Sequence, residues 1–244
     1  MAKNLGKKNV RKDEPMNGAM KFFLAGCVAE LYLLIIRRFY INAASDLIRI
    51  AWYDRYLWVA AGLGAAVLVL GAVGALTVKK RGGRDLWYVA GVGAFMAVSS
   101  LLVRWNMATL SLMTVLVPVV MLLSILWALY DRECALALTV LGVSLLALWG
   151  FRRYGASIYA GTAVKAALIV YLAVVAALAA LTYAGKLGRL LSPRADRLPV
   201  YVSCGISAVA LLAALLISGM AYYAMWALAA VEFALAVYYT VKQL

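Results

Sequence analysis

The chain has 244 residues, and 67% of them are hydrophobic. A soluble domain has roughly 45–50% apolar residues, so this composition excludes a soluble globular domain, a disordered chain and a collagen-like fibre. The apolar residues number about 160, which matches eight helical membrane spans of about 20 residues each. The net charge is +14. Membrane proteins keep basic loops in the cytoplasm, and this rule accounts for the excess of lysine and arginine, so we expect no nucleic-acid partner.

The composition also restricts the chemistry of any site. The chain contains no histidine, which excludes Ser-His-Asp and Cys-His catalysis and zinc sites of the H-E-x-x-H kind. Cys27, Cys134 and Cys204 are isolated in or beside apolar runs, where cysteine acts as a small apolar side chain. We therefore expect a protein that is not an enzyme and that has no cofactor, no metal and no catalytic residue.

The N-terminal residues 1–19 form a basic segment without apolar periodicity, and we expect them to be a flexible cytoplasmic tail. The first span is predicted over 20–36. Because Glu30 interrupts its apolar run and Arg37-Arg38 follow it directly, this span is interpreted as a retained anchor rather than a cleaved signal peptide.

Residues 37–55 mix apolar and polar side chains, with Leu47, Ile48, Ala51 and Trp52 spaced along one helical face. This pattern predicts an interfacial amphipathic helix at the lipid headgroups, although a helix that docks on a partner protein has the same pattern.

Seven further apolar runs complete an all-α, polytopic transmembrane helix bundle of eight spans, with seven to nine allowed. A single membrane domain is expected over 20–244. The link near Gly219 carries no charge, so seven spans with a re-entrant final pair is the alternative. The seven runs cover residues 56–78, 86–103, 107–130, 134–151, 166–185, 200–219 and 221–241.

The basic residues predict an orientation. With both termini in the cytoplasm, 16 of the 24 Lys and Arg residues fall on the cytoplasmic side, as the positive-inside rule requires. We therefore expect an integral protein of the plasma (cytoplasmic) membrane. Two basic loops are predicted to contact anionic headgroups of the bilayer. Their residues are Lys79, Lys80, Arg81 and Arg84 in the first loop, and Lys186, Arg189, Arg194 and Arg197 in the second.

Two acids lie inside apolar runs, where a charge costs at least ~2.5 kcal/mol. Glu232 lies about 11 residues into the last span, near the bilayer middle at the standard helical rise. Its candidate partners are Lys165 and Arg104. Glu30 lies two turns before Arg37, and Arg37, Arg38 or Tyr32 can satisfy it. Each acid is therefore interpreted either as a structural group or as a proton or ion site on a substrate path.

Pro118 lies near the centre of the fourth span, where proline removes a backbone hydrogen bond. Such a break can line a substrate path, although it is also common in ordinary spans.

Small residues spaced four apart predict close helix packing, or alternatively an oligomer interface. Glycine and alanine are concentrated in the second, third and sixth spans, at Gly62, Gly64, Gly71, Gly74, Gly91 and Gly93, and at the four-apart pairs Ala173–Ala177 and Ala176–Ala180.

Three functional classes remain. The favoured one is a small permease or transporter that uses Glu30, Glu232, Lys165, Arg104 and Pro118 along a substrate or ion path. The alternative is a non-enzymatic scaffold or subunit of a membrane protein complex, including a homo-oligomer. An intramembrane or lipid-handling enzyme that uses Asp46, Asp54 and Arg49 is the third.

Overall fold

The computed structural model describes residues 14–78, 82–157, 160–185, 197–217 and 219–243. Of these residues 92% are helical, and none of them forms a strand. Two π-helical segments, Arg37–Ile41 and Trp52–Tyr56, continue α1 and connect α2 to α3. The α-helices are α1 (Glu14–Ile36), α2 (Asp46–Ala51), α3 (Leu57–Thr77), α4 (Gly82–Trp105), α5 (Ala108–Leu129), α6 (Arg132–Tyr154), α7 (Ala160–Tyr183), α8 (Leu198–Leu216) and α9 (Met220–Gln243).

Eight helical stretches in the described part are long and apolar enough to cross a membrane, which confirms the all-α class and the predicted number of spans. The weakly marked link near Gly219 separates two full helices, because α8 ends at Leu216 and α9 begins at Met220. These helices indicate a multi-pass integral membrane protein. The cytoplasmic position of both termini stays a prediction, as does the single membrane domain.

The largest departures from the predicted spans lie at the N-terminus and between the first two spans. Helix α1 begins at Glu14, inside the predicted tail, and residues 1–13 lie outside the described part. The predicted interfacial segment 37–55 is divided by a turn at 42–45, where Ser45 Oγ accepts a hydrogen bond of 3.5 Å from the Ile48 backbone. The first half continues α1 and the second half leads into α3. Burial of Ile36, Tyr40 and Leu57 in one apolar cluster holds these two helix ends together.

The described residues group into two compact units, one ending at Ala128 and one beginning at Leu129. In the first unit, α3 and α4 pack backbone to backbone. A Cβ atom added to Gly64 would lie 2.6 Å from the Ala97 nitrogen, and one added to Gly93 would lie 2.5 Å from the Leu68 nitrogen. The predicted packing role is confirmed at these two glycines, whereas a Cβ at Gly62 or Gly91 would meet nothing within 4 Å.

Helix α1 runs parallel to α4 in the first unit. Lys21 Nζ lies 2.7 Å from Asp85 Oδ1, and eleven residues further along α1 the Tyr32 hydroxyl lies 2.5 Å from Ser100 Oγ. Helix α5 joins them through Leu110, which is fully buried in the same apolar cluster as Ile36 and Tyr40.

The second unit is organised around α6, which packs against α7, α8 and α9. Leu141, Leu148 and Leu211 are fully buried where these helices meet. A polar contact crosses the same core, where the Tyr171 hydroxyl donates a hydrogen bond of 2.8 Å to the Val140 carbonyl oxygen.

Candidate functional site

The first unit contains a cavity of about 580 Å³ between α1, α4 and α5. Its lining is almost entirely apolar. The α1 residues have the i, i+3, i+4, i+7 spacing of a single helix face. The lining residues are Phe22, Ala25, Gly26 and Ala29 from α1, Trp87, Tyr88, Gly91, Val92 and Phe95 from α4, and Leu116, Val117, Val120 and Met121 from α5.

Small residues on two of the helices leave the space for this cavity. Gly91 lines it, and an added Cβ there would meet nothing within 4 Å, so the glycine leaves open volume on the α4 side. Gly26 has a different role, because a Cβ there would lie 2.5 Å from the Met121 side chain. Glycine at 26 therefore lets α5 approach α1 at one edge of the cavity.

One end of the α1–α4 pair is joined by polar contacts. The Lys21–Asp85 ion pair is partly exposed, with side-chain exposures of 39% and 50%. One turn along α4, the Tyr88 hydroxyl donates a hydrogen bond of 3.4 Å to the Gly18 carbonyl oxygen. A partly exposed ion pair contributes little stability, so these contacts serve mainly to set the register of α1 against α4.

Further along α1 and α4 than the residues that line the cavity, polar side chains form a layer between these two helices. Tyr32 Oη and Ser100 Oγ form a hydrogen bond, and Ser100 Oγ also donates to the Met96 carbonyl oxygen over 2.6 Å. Ser99 Oγ donates to the same carbonyl over 3.2 Å. Both serines are buried. Hydroxyl groups in apolar surroundings need such partners, because an unpaired buried hydroxyl is costly.

Glu30 directly follows the cavity-lining Ala29 on α1. Its side chain is half-buried, and its Oε2 atom is shielded from solvent, with no hydrogen-bond partner in the ranges that the structure describes. Neither Arg37 nor Arg38 forms an ion pair with it in the described part of the chain, and Tyr32 binds Ser100. An unpaired carboxyl group in this position can take up a proton or bind a cationic group of a ligand.

Glu232 lies on α9 in the second unit and is also half-buried. The predicted ion pair with Lys165 is not formed, because Lys165 lies exposed near the start of α7 and the described residues offer Glu232 no ion-pair partner. The suggested alternative partner, Arg104, donates a hydrogen bond of 2.5 Å to the Tyr53 carbonyl oxygen in the first unit.

Pro118 lies inside α5, which continues from Ala108 to Leu129. The proline cannot donate a hydrogen bond to the Thr114 carbonyl oxygen four residues earlier. Because Val117 and Val120 line the cavity, this interruption of the hydrogen-bond ladder lies beside the cavity wall.

Most of the predicted headgroup contacts fall outside the described residues, including Lys79, Lys80, Arg81, Lys186, Arg189 and Arg194. Arg197 is described, and its guanidinium donates a hydrogen bond of 3.3 Å to the Thr182 carbonyl oxygen near the end of α7.

The serine pair at 99–100 and the buried Tyr40 are site features that the sequence patterns did not single out. Two adjacent serines inside an apolar run were a usable signal for the serine pair, but serine hydroxyls commonly donate to backbone carbonyl oxygens of their own helix.

No group of three or more Asp, Glu or Cys side chains in the described ranges lies close enough to hold a metal ion.

Comparison with protein-family models, curated proteins and solved structures finds no match to the chain. The functional interpretation therefore depends on the geometry of the sites alone.

Proposed function

We propose that the protein is a small membrane transporter whose substrate path includes the cavity between α1, α4 and α5. One observation carries this proposal: Glu30, whose Oε2 atom has no hydrogen-bond partner among the described residues, directly follows Ala29, which lines a cavity of about 580 Å³. Charges inside membrane helices commonly mark ion or substrate paths, because keeping them there is costly.

The lining of the cavity favours an amphipathic substrate. Aromatic side chains of Phe22, Trp87 and Phe95 surround apolar volume of the size typical of small-molecule sites. Glu30 supplies the negative charge that a cationic group of such a molecule would bind, or the proton acceptor that exchange with protons would use. The proposed substrate class is therefore an amphipathic organic cation, exchanged for protons.

The test uses purified protein in liposomes, with uptake of the fluorescent cation ethidium driven by a pH gradient. We expect Glu30→Gln, which keeps the side-chain shape but removes the acid, to reduce uptake to the level of protein-free liposomes. Gly91→Leu is expected to have the same effect, because it fills the cavity from an open position.

Gly62→Leu is the matched control, because Gly62 also has open space around its Cβ position but does not line the cavity. This variant should retain wild-type uptake. Uptake by the wild type no faster than by empty liposomes, or full uptake by both Glu30→Gln and Gly91→Leu, would overturn the proposal. Glu232→Gln in the same assay measures whether the second acid contributes.

A subunit of a membrane complex is the second candidate function, supported by one face of α7. Ala173, Ala176, Ala177 and Ala180 are all exposed on this helix within the second unit. Small residues with this spacing allow another helix to approach closely. A cysteine at Ala177 that cross-links to a second chain in native membranes would favour this function over transport.

The proposed transporter performs no catalytic step. We place the transporter in the plasma membrane with both termini in the cytoplasm. The distribution of basic residues supports this orientation.

A further inference from the structure

A second group of polar atoms lies at the opposite end of α1 from the Lys21–Asp85 pair. The Tyr40 side chain is fully buried, yet its hydroxyl has no hydrogen-bond partner among the described residues, and the same is true of the buried Nε atom of Arg49. Tyr40 is buried in the same apolar cluster as Val103, which directly precedes Arg104, and α2, which carries Arg49, contacts the π-helical segment that contains Tyr40. The Tyr40 hydroxyl and Arg49 Nε, two hydrogen-bond donors without described partners, therefore lie in a region that contains several arginines.

The positive charge at this end of the unit is poorly neutralised. Arg104 lies over the aromatic rings of Tyr53 and Trp58, at 4.3 and 4.8 Å from their centroids, and no described carboxylate pairs with it. Among the described carboxylates, Arg49 pairs with Asp46, at 3.6 Å between Nη1 and Oδ1, and the Asp46 side chain is mostly exposed, so this ion pair is weak. Residues 37–55 contain four arginines, Arg37, Arg38, Arg49 and Arg55, and two acids, Asp46 and Asp54, and Arg104 at the end of α4 adds a fifth arginine.

An apolar groove of about 370 Å³ lies on the same elements. It is lined by Ile35, Phe39, Ile48, Ala51, Trp52 and Tyr56. The rings of Phe39 and Trp52 stack 5.8 Å apart, and Ile48 directly precedes Arg49 along α2. An apolar groove on a segment that carries a weakly paired Arg49, together with an Arg104 that no described carboxylate pairs with, complements a molecule that has a hydrocarbon chain and an anionic group.

We propose that this surface binds an anionic phospholipid, with the phosphate on Arg49, Arg104 and the Tyr40 hydroxyl, and with an acyl chain in the groove. The Arg49 side chain is 44% exposed, so a headgroup reaches its guanidinium from the surface. The guanidinium turns from Asp46 to the phosphate, whose oxygens accept charge-assisted hydrogen bonds from it. Because Tyr40 is fully buried, this movement must also uncover its hydroxyl, which then donates a further hydrogen bond. The apolar groove favours a lipid over a free phosphate ion.

The experiment places the protein in nanodiscs that contain phosphatidylglycerol and phosphatidylcholine in equal amounts. Native mass spectrometry then measures the ratio of the two lipids that stay bound. We expect the wild type to retain an excess of phosphatidylglycerol. We expect Tyr40→Phe and Arg49→Gln to lower this ratio towards that of the surrounding bilayer.

Tyr40→Phe is the most informative variant, because it removes only a hydroxyl group without a partner and should leave the fold intact. Arg153→Gln is the matched control, since this exposed arginine lies at the end of α6 in the other unit. It should keep the wild-type lipid ratio, which separates a defined site from a general effect of net charge.

Three results would overturn the inference. Equal retention of both lipids by the wild type would show that the surface does not select the anionic headgroup. A loss of selectivity in Arg153→Gln as large as that in Tyr40→Phe would show a general charge effect. Inorganic phosphate that raises the unfolding temperature of the detergent-solubilised protein as much as phosphatidylglycerol does would show a free-anion site.

Discussion

Acidic side chains inside membrane helices are stable only when they are paired, hydrated or protonated, and this makes Glu232 informative at the scale of one residue. The sequence suggested an ion pair with Lys165 because both residues lie inside or beside apolar runs. Spacing along the chain does not report how far apart two helices place their side chains. The structure leaves Lys165 exposed and Glu232 without an ion-pair partner in the described ranges.

We therefore predict that Glu232 and Lys165 contribute independently to stability. In a double-mutant cycle of Glu232→Gln and Lys165→Met, the coupling energy should be within about 0.5 kcal/mol of zero, as for sites without a shared interaction. The free energy of unfolding is measured in mixed detergent micelles for the two single variants and the double variant. A coupling energy above about 1 kcal/mol would contradict the prediction and would indicate that Glu232 and Lys165 form an ion pair.

Glu30 and Tyr40 show how much of the candidate sites the sequence could reveal. Glu30 was identifiable because an acid in an apolar run is rare and costly. Tyr40 was not, because a tyrosine near a helix end is typical of the membrane interface, and only packing determines whether its hydroxyl finds a partner.

At the scale of the element, the close approach of α3 and α4 depends on individual glycines. Gly64 and Gly93 face the neighbouring backbone, whereas Gly62 and Gly91 have open space at their Cβ positions. Sequence spacing predicted close packing for the group as a whole. The spacing could not show which glycines face the neighbouring helix, because the rotation of each helix about its axis depends on contacts with its neighbours.

This difference leads to a matched prediction for the four glycines. Gly64→Ala and Gly93→Ala should each destabilise the protein by about 1–3 kcal/mol, because the added methyl group forces the helices apart. Gly62→Ala and Gly91→Ala should leave the free energy of unfolding unchanged or raise it by up to about 1 kcal/mol, since alanine favours the helix. Unfolding in mixed micelles measures all four, and equal losses at the four positions would argue against the observed α3–α4 contact.

At the scale of the whole molecule, the orientation in the membrane is the most direct prediction from sequence. A reporter fused after Leu244 should lie in the cytoplasm, and one inserted at the exposed Ala156, after α6, should lie on the opposite side. The physical reason is the retention of basic segments in the cytoplasm, which the N-terminal lysines and arginines strongly favour. Protease protection of the two reporters in sealed vesicles provides the measurement.

An external reporter at Leu244 with Ala156 also external would indicate an even number of spans after α6, instead of the three that the described helices provide. A cytoplasmic reporter at Ala156 would overturn the assigned orientation of the first five spans.

The sequence by itself determined the class of the protein and its eight spans. Long apolar runs have few stable alternatives in a bilayer, because every backbone polar group must be satisfied within a helix. It also located Glu30 and Glu232, since rare charges stand out from the apolar residues around them. The cavity between α1, α4 and α5, the absence of a described ion-pair partner for Glu232 and the surroundings of Tyr40 required the tertiary structure. Each of them depends on distances between helices that are far apart along the chain, and helix periodicity does not specify those distances.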